Sequence, residues 1–310
     1  MKLVFLSSRF VSRFAGFLLL MLLPATLLAQ GNLRKAKKSF EDAAYAEALT
    51  ELKEIAKTDS SPELARLLAL SHQRLRHFKQ AEYWFFTLEE QGALPDELRL
   101  NYGRMLTSRG KYAKARKQFK RYQKAFPDDG RGSQLAMSCE IATKLQEKRP
   151  HYRAEHIPDL NTSNAEYAPV YYQGGIVFVS DRPYTGDKNK TSPRTGNPFS
   201  DMYYANRTED KSFGLPVKHG HKLNSTGDDG PMTFNADEDE IVFTRATKGS
   251  LPRDYAAEEL DNATIKLYYA TRGDDQHWGE PKQLSFTEDE FNYLHPSLSA
   301  DGQRLFFASD

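Results

Sequence analysis

Two hydrophobic rhythms divide the chain. From residue 31 to 149 apolar residues recur at helical spacing, interrupted only by Pro62, Pro95 and Pro127, which stand 33 and 32 residues apart. After residue 162 the runs shorten to strands of alternating or fully apolar character, bounded by Gly, Asp, Asn and Pro. The predicted fold class is therefore α then β, a helical array followed by an antiparallel strand-rich domain. Ahead of both, residues 1–29 place Lys2, Arg9 and Arg13 before the apolar stretch AGFLLLMLLPATLLA, with no acidic residue. Pro24 interrupts this stretch, and it falls short of the ~20 residues needed to span a bilayer. It reads as an export signal cleaved after Ala29.

Within the helical half the spacing of the prolines calls for a self-comparison. YAEALTELKEI (45–55), FKQAEYWFFTL (78–88) and YAKARKQFKRY (112–122) align without gaps. Ala48, Ala81 and Ala115 share one position; Leu52, Phe85 and Phe119 share the next. A small residue lets two helices approach closely, and a large one a turn later fills the space beside it. The period of about 34 residues is that of tetratricopeptide (TPR) helical hairpins. The third copy resembles that consensus most closely, with Gly103, Leu106, Gly110, Tyr112, Ala115, Phe119 and Pro127; Ala36 and Ala69 replace Gly103 in the earlier copies. Residues 31–147 are thus expected to hold three repeats, with QLAMSCEIATKL (134–145) as the helix covering the last apolar face.

KRPHYRAEHIPDLNT (148–162) reads as a linker. Beyond it, YAPVYYQGGIVFVSDRP, DGPMTFNADEDEIVFTRA and LHPSLSADGQRLFFASD repeat one pattern: a proline, an alternating stretch, a turn and an apolar strand. A second unit recurs between them, pairing Tyr203-Tyr204-Ala205 with Tyr268-Tyr269-Ala270 and Phe213 with Trp278. Cycles of four strands with aromatic and Asp-Gly markers describe propeller blades, so residues 163–310 are expected to form a partial β-propeller.

Ser180-Asp181-Arg182-Pro183 and the Ser299-Ala300-Asp301-Gly302 hairpin resemble WD-like propeller repeats of the TolB type. The succession of export signal, TPR array and such a propeller resembles a family of gram-negative periplasmic proteins whose chains end in a peptidoglycan-binding OmpA-like domain. The resemblance implies a non-enzymatic periplasmic scaffold, associated with the outer membrane, that links envelope or secretion complexes to peptidoglycan through that domain. The chain stops inside the third strand cycle, so the expectation is a fragment. Two other functions fit the same pattern: the propeller of a prolyl-oligopeptidase-type hydrolase, and a TolB-like translocation component.

Charge and chemistry sharpen this picture. Residues 31–150 carry 24 Lys and Arg against 16 Asp and Glu, whereas residues 151–310 carry 16 against 26. The lone Cys139 excludes a disulfide framework and is expected to be buried. No G-x-S-x-G, H-E-x-x-H, phosphate-cradling loop or cysteine pair is present, so neither a catalytic site, a metal site nor a cofactor is expected. His219 and His221 lack a third ligand, His295 reads as a turn residue, and the acidic NADEDE (235–240) reads as a turn. Zinc-finger spacing and base-stacking motifs are missing, which leaves nucleic acid without support. The basic run RGKYAKARKQFKRYQKAF, a solvated face by default, supplies the candidate partner-binding residues Lys114, Lys117, Arg121 and Lys124 on one side of a helix. As a docking surface it would take an acidic partner or the acidic half of this same chain, and the expected partners are envelope proteins held by the helical and propeller surfaces.

Overall fold

The computed structural model describes residues 32–148, 153–184, 191–247, 264–288, 290–299 and 301–310. The expected export signal and residues 149–152 of the expected linker lie outside these. The chain divides into two compact units, Met1–His151 and Tyr152–Asp310.

The first unit is a succession of helical hairpins: α1 (32–41) with α2 (Tyr45–Ile55), α3 (Pro62–Arg74) with α4 (Phe78–Glu90), and α5 (Arg99–Ser108) with α6 (Tyr112–Ala125), followed by α7 (Arg131–Gln146). The prolines stand in the connections between hairpins: Pro95 caps the short 3-10 turn Asp96–Leu98 that leads into α5, Pro127 lies in the turn after α6, and a proline at the first helical position costs no hydrogen bond. Pro62 is the first residue of α3, behind a Ser61 cap whose Oγ accepts from the Leu64 N–H at 3.3 Å. Within each hairpin the chain reverses through a left-handed residue, successively Ala43, Arg76 and Gly110. The N–H of the next residue then reaches a carbonyl five positions back: Ala44 to Ser39, His77 to His72 and Lys111 to Leu106, at 2.8–2.9 Å. This is the Schellman closure, repeated three times.

The shared small and large positions form the core. Ala48, Ala81 and Ala115 are fully buried, as are Leu52, Phe85 and Phe119. Gly103 lies so close to its hairpin partner that a Cβ there would sit 2.3 Å from the Phe119 ring. Gln73 and Asn101 tie α3 to α5 by a side-chain-to-backbone bond of 2.8 Å and a side-chain pair at 3.0 Å. On α7, Gly132, Ala136 and Cys139 are buried, and a Cβ on Gly132 would meet the Phe119 carbonyl at 2.9 Å. That face covers α6. The opposite side of α7 differs from a polar cap, because Met137, Ile141 and Leu145 are all exposed.

In the second unit the strands form antiparallel meanders. The first sheet is β1 (Glu166–Tyr172), β2 (Gly175–Ser180), β3 (Asp201–Ala205) and β4 (Val217–Lys218). The second is β5 (Asp229–Phe234), β6 (Glu240–Thr247), β7 (Thr264–Thr271) and β8 (Lys282–Gln283), and the hairpin β9 (Tyr293–Leu298) with β10 (Leu305–Ser309) follows. The residue before each marker proline, Ala168, Gly230 or His295, has a positive φ angle, and the ladder slips register there in all three hairpins. His295 is therefore a backbone bulge residue. The sheets pack in order: Val177, Val179 and Met202 meet Ile241, Phe243 and Trp278, and on the far side Val242 and Leu267 meet Tyr293. Leu160, at the end of the expected linker, joins the core formed by Phe178 and Tyr203.

One polar device occurs twice. The Arg182 guanidinium donates to the Leu160 carbonyl at 2.6 Å and to Glu166 at 3.1 Å, and lies 5.0 and 5.2 Å from the ring centres of Phe178 and Tyr203. Sixty-three positions later, Arg245 donates to the Leu223 carbonyl at 2.9 Å and to Asp229 at 2.6 Å, and lies 5.2 and 5.0 Å from Phe243 and Tyr268. Each arginine pins the segment entering its sheet to the second strand. The aromatic rings exclude water from the ion pair, which strengthens it.

Candidate partner-binding surface

Lys114, Lys117, Arg121 and Lys124 all lie on α6, at offsets of three, seven and ten residues that align them along one exposed side. The structure distinguishes what the sequence lumped together. Carboxylates elsewhere in the array hold part of the basic run: Glu82 takes Arg109 at 3.2 Å and Lys111 at 2.5 Å, Glu140 takes Arg116, and Glu89 takes Arg121. Lys114, Lys117, Lys120 and Lys124 have no carboxylate partner among the described residues. Of the four predicted residues, three are free cations and Arg121 is structural.

Glu89 is the hub of this arrangement. It accepts from Gln118 Nε2 at 2.9 and 3.0 Å, pairs with Arg121, and faces Arg99 Nη1 at 3.6 Å. These bonds bind α4 to α6 and to the start of α5. They floor an open groove of about 560 Å³ lined by Phe86 and Glu90 of α4, Tyr102 of α5, and Lys114, Lys117 and Arg121 of α6. Lys124 is a further turn along and outside it. Tyr102 stacks on Phe85 with ring centres 5.3 Å apart. Burial, reinforced by Glu89, Glu82 and Glu90, pushes its phenol up to about 12, so it stays protonated. Beside the groove α4 exposes two aromatics, Tyr83 at 61% and Phe86 at 50%. Sequence reasoning passed over Phe86 because its neighbour Phe85 occupies the core position of the repeat; the doubled Phe is the signal it left.

The other chemically suggestive residues are dispersed. His219 is buried against Tyr172, with ring centres 4.9 Å apart, while His221 is exposed, so the two do not converge. Burial lowers the pKa of His219 to about 4 and keeps it neutral. Asn235 closes the NADEDE turn, its Oδ1 accepting from the N–H groups of Asp239 at 3.1 Å and Glu240 at 3.0 Å. Cys139 is buried and its thiol pKa is raised by burial. Among the described residues no three His, Cys, Asp or Glu gather as metal ligands, and no helix is long and apolar enough to cross a membrane.

No family model matches the sequence, and no curated protein matches it at a significant level. Solved structures of MamA are similar over part of the chain. MamA MSR-1 is 16% identical with a TM-score of 0.35, over 38% of this chain and 69% of its own. MamA AMB-1 is 15% identical with a TM-score of 0.34, over 40% of this chain and 75% of its own.

Proposed function

We propose that the protein is a non-enzymatic scaffold of the gram-negative cell envelope, exported by residues 1–29, whose TPR-type helical array holds protein partners. Its strand unit is read as part of a TolB-type propeller that offers a second, acidic contact surface. The observation that carries this reading is the division of labour along the basic run from Arg109 to Lys124, where Arg109, Lys111, Arg116 and Arg121 are used up by internal carboxylates and a row of lysines on α6 is left facing solvent. A fold requiring only a solvated helix has no need to order the pairing in this way. The propeller reading is supported by the twice-repeated arginine clamp in successive four-stranded meanders. In this reading the link to peptidoglycan runs through an OmpA-like domain.

The test is cross-linking in an exporting gram-negative host, followed by mass spectrometry of the captured complexes. The expected result is a mature chain beginning at Gln30, joined to envelope proteins through peptides from residues 32–148. A chain retaining Met1 in the cytosol, or one that cross-links to nothing, overturns the reading.

A further inference from the structure

The groove between α4 and α6 has a chemistry that selects its occupant. Along one wall Lys114 and Lys117 stand one turn apart, exposed and without carboxylate partners among the described residues. The other wall presents Phe86, half exposed, followed by Glu90. Cations on one side and an aromatic face on the other suit a segment that alternates carboxylates with apolar side chains. A uniform polyanion suits it less well, since a continuous phosphate backbone in the groove would run against Glu90 and the partly exposed Glu89. The floor is already rigid, because Glu89 ties Gln118, Arg121 and Arg99 together; binding there orders little that is mobile.

We infer that this groove is the docking site for an acidic protein segment, which sets carboxylates on Lys114 and Lys117 and an aromatic side chain against Phe86. The inference rests on the scaffold reading and adds the class of partner to it. The basic run alone points to an acidic partner; the Phe86 wall, and with it the need for aromatic side chains between the acids, comes only from the structure.

The experiment uses the full mature chain and fluorescence anisotropy of short synthetic peptides. One probe alternates Asp and Glu with Phe; a second keeps the acids and replaces Phe by Ser; a third keeps Phe and replaces the acids by Asn and Gln. A single-stranded oligonucleotide of similar length is the fourth. The first probe is expected to bind most tightly, and raising salt should weaken it. The K114E/K117E chain should lose at least about tenfold in affinity, since each reversal turns an attraction into a repulsion. F86A should lose roughly tenfold for the first probe and little for the second, as expected for removal of an apolar contact. Both variants should melt with the parent, because all three side chains are exposed. Absence of binding by the first probe, equal binding to the parent and K114E/K117E chains, or tighter binding of the oligonucleotide each overturns the inference. A K114E/K117E chain that keeps its cross-linked envelope partner while losing nothing toward the peptide leaves the scaffold reading standing and removes the groove from it.

Discussion

Single residues decide how closely the elements approach. At the small position of the third repeat, Gly103 meets Phe119 with no room for a methyl group, whereas the first repeat combines Ala36 with Leu52 at the same two positions. Two effects of Gly103→Ala oppose each other: helix propensity favours it by ~1 kcal/mol, and overpacking against a buried ring costs ~1–3 kcal/mol. The ring contact at 2.3 Å decides the sign, so the variant is expected to melt several degrees lower, and Phe119→Leu added to it should recover part of the loss. A scan by circular dichroism checks both; additive losses would show that the two residues are not coupled. In the strand unit the corresponding point of leverage is Arg245. Replacing it by Met strands Asp229, which is fully buried, without its cation and should cost ~3–5 kcal/mol. Arg245→Met with Asp229→Asn should cost less than Arg245→Met alone, measured by urea denaturation, because no buried charge remains unpaired.

At the scale of elements, the junction of α3 with α4 carries a pH dependence. His72 and His77 bring their Nδ1 atoms within 3.3 Å, and both have lowered pKa values. For His72 the value falls to about 4, through burial first and then the positive potential of His77 and Lys53. A histidine whose folded pKa lies below its unfolded value takes up protons on unfolding, so its contribution is complete above pH ~6.5 and is lost as pH falls toward 4. The helical signal should therefore melt at lower temperature at pH 5 than at pH 7, and His72→Gln should flatten that dependence; an unchanged slope would place the titration elsewhere in the helical unit, as at His77, whose pKa is also lowered by burial. The helical repeat itself was legible because identical side-chain types return every 33–34 residues, and the strand cycles because prolines and paired tyrosines mark them. Features whose partners are distant or are not side chains escaped. The arginine clamp binds backbone carbonyls and accepts Glu in one copy and Asp in the other, so no motif marks it. Lysines 114 and 117 were legible as cations, yet their freedom depended on which acids, 29 to 32 residues upstream, had been taken by Lys111 and Arg121. The apolar stripe Met137, Ile141 and Leu145 was hidden by an α7 that is apolar on two sides.

For the whole molecule, the division into two units has a thermodynamic consequence. Every hydrophobic cluster among the described residues draws its members from one unit: two from the helical repeats and three from the sheets. Each unit also has its own electrostatic character, with 24 basic against 16 acidic residues in 31–150 and 16 against 26 in 151–310. Cooperativity follows shared buried surface, so units with separate cores are expected to unfold as separate transitions. Calorimetry of the chain from Gln30 to Asp310 should resolve two endotherms, one accompanied by loss of helical circular dichroism. Gly103→Ala should lower that one alone, and Arg245→Met only the other. The opposite excess charges provide a second handle, because added salt relieves like-charge repulsion inside each unit while screening any attraction between them. If both transitions hold or rise with salt, each unit's stability is its own. If either variant moves both transitions together, the two cores are energetically one, and the proposed separation of a basic partner-binding array from an acidic second surface loses its physical basis.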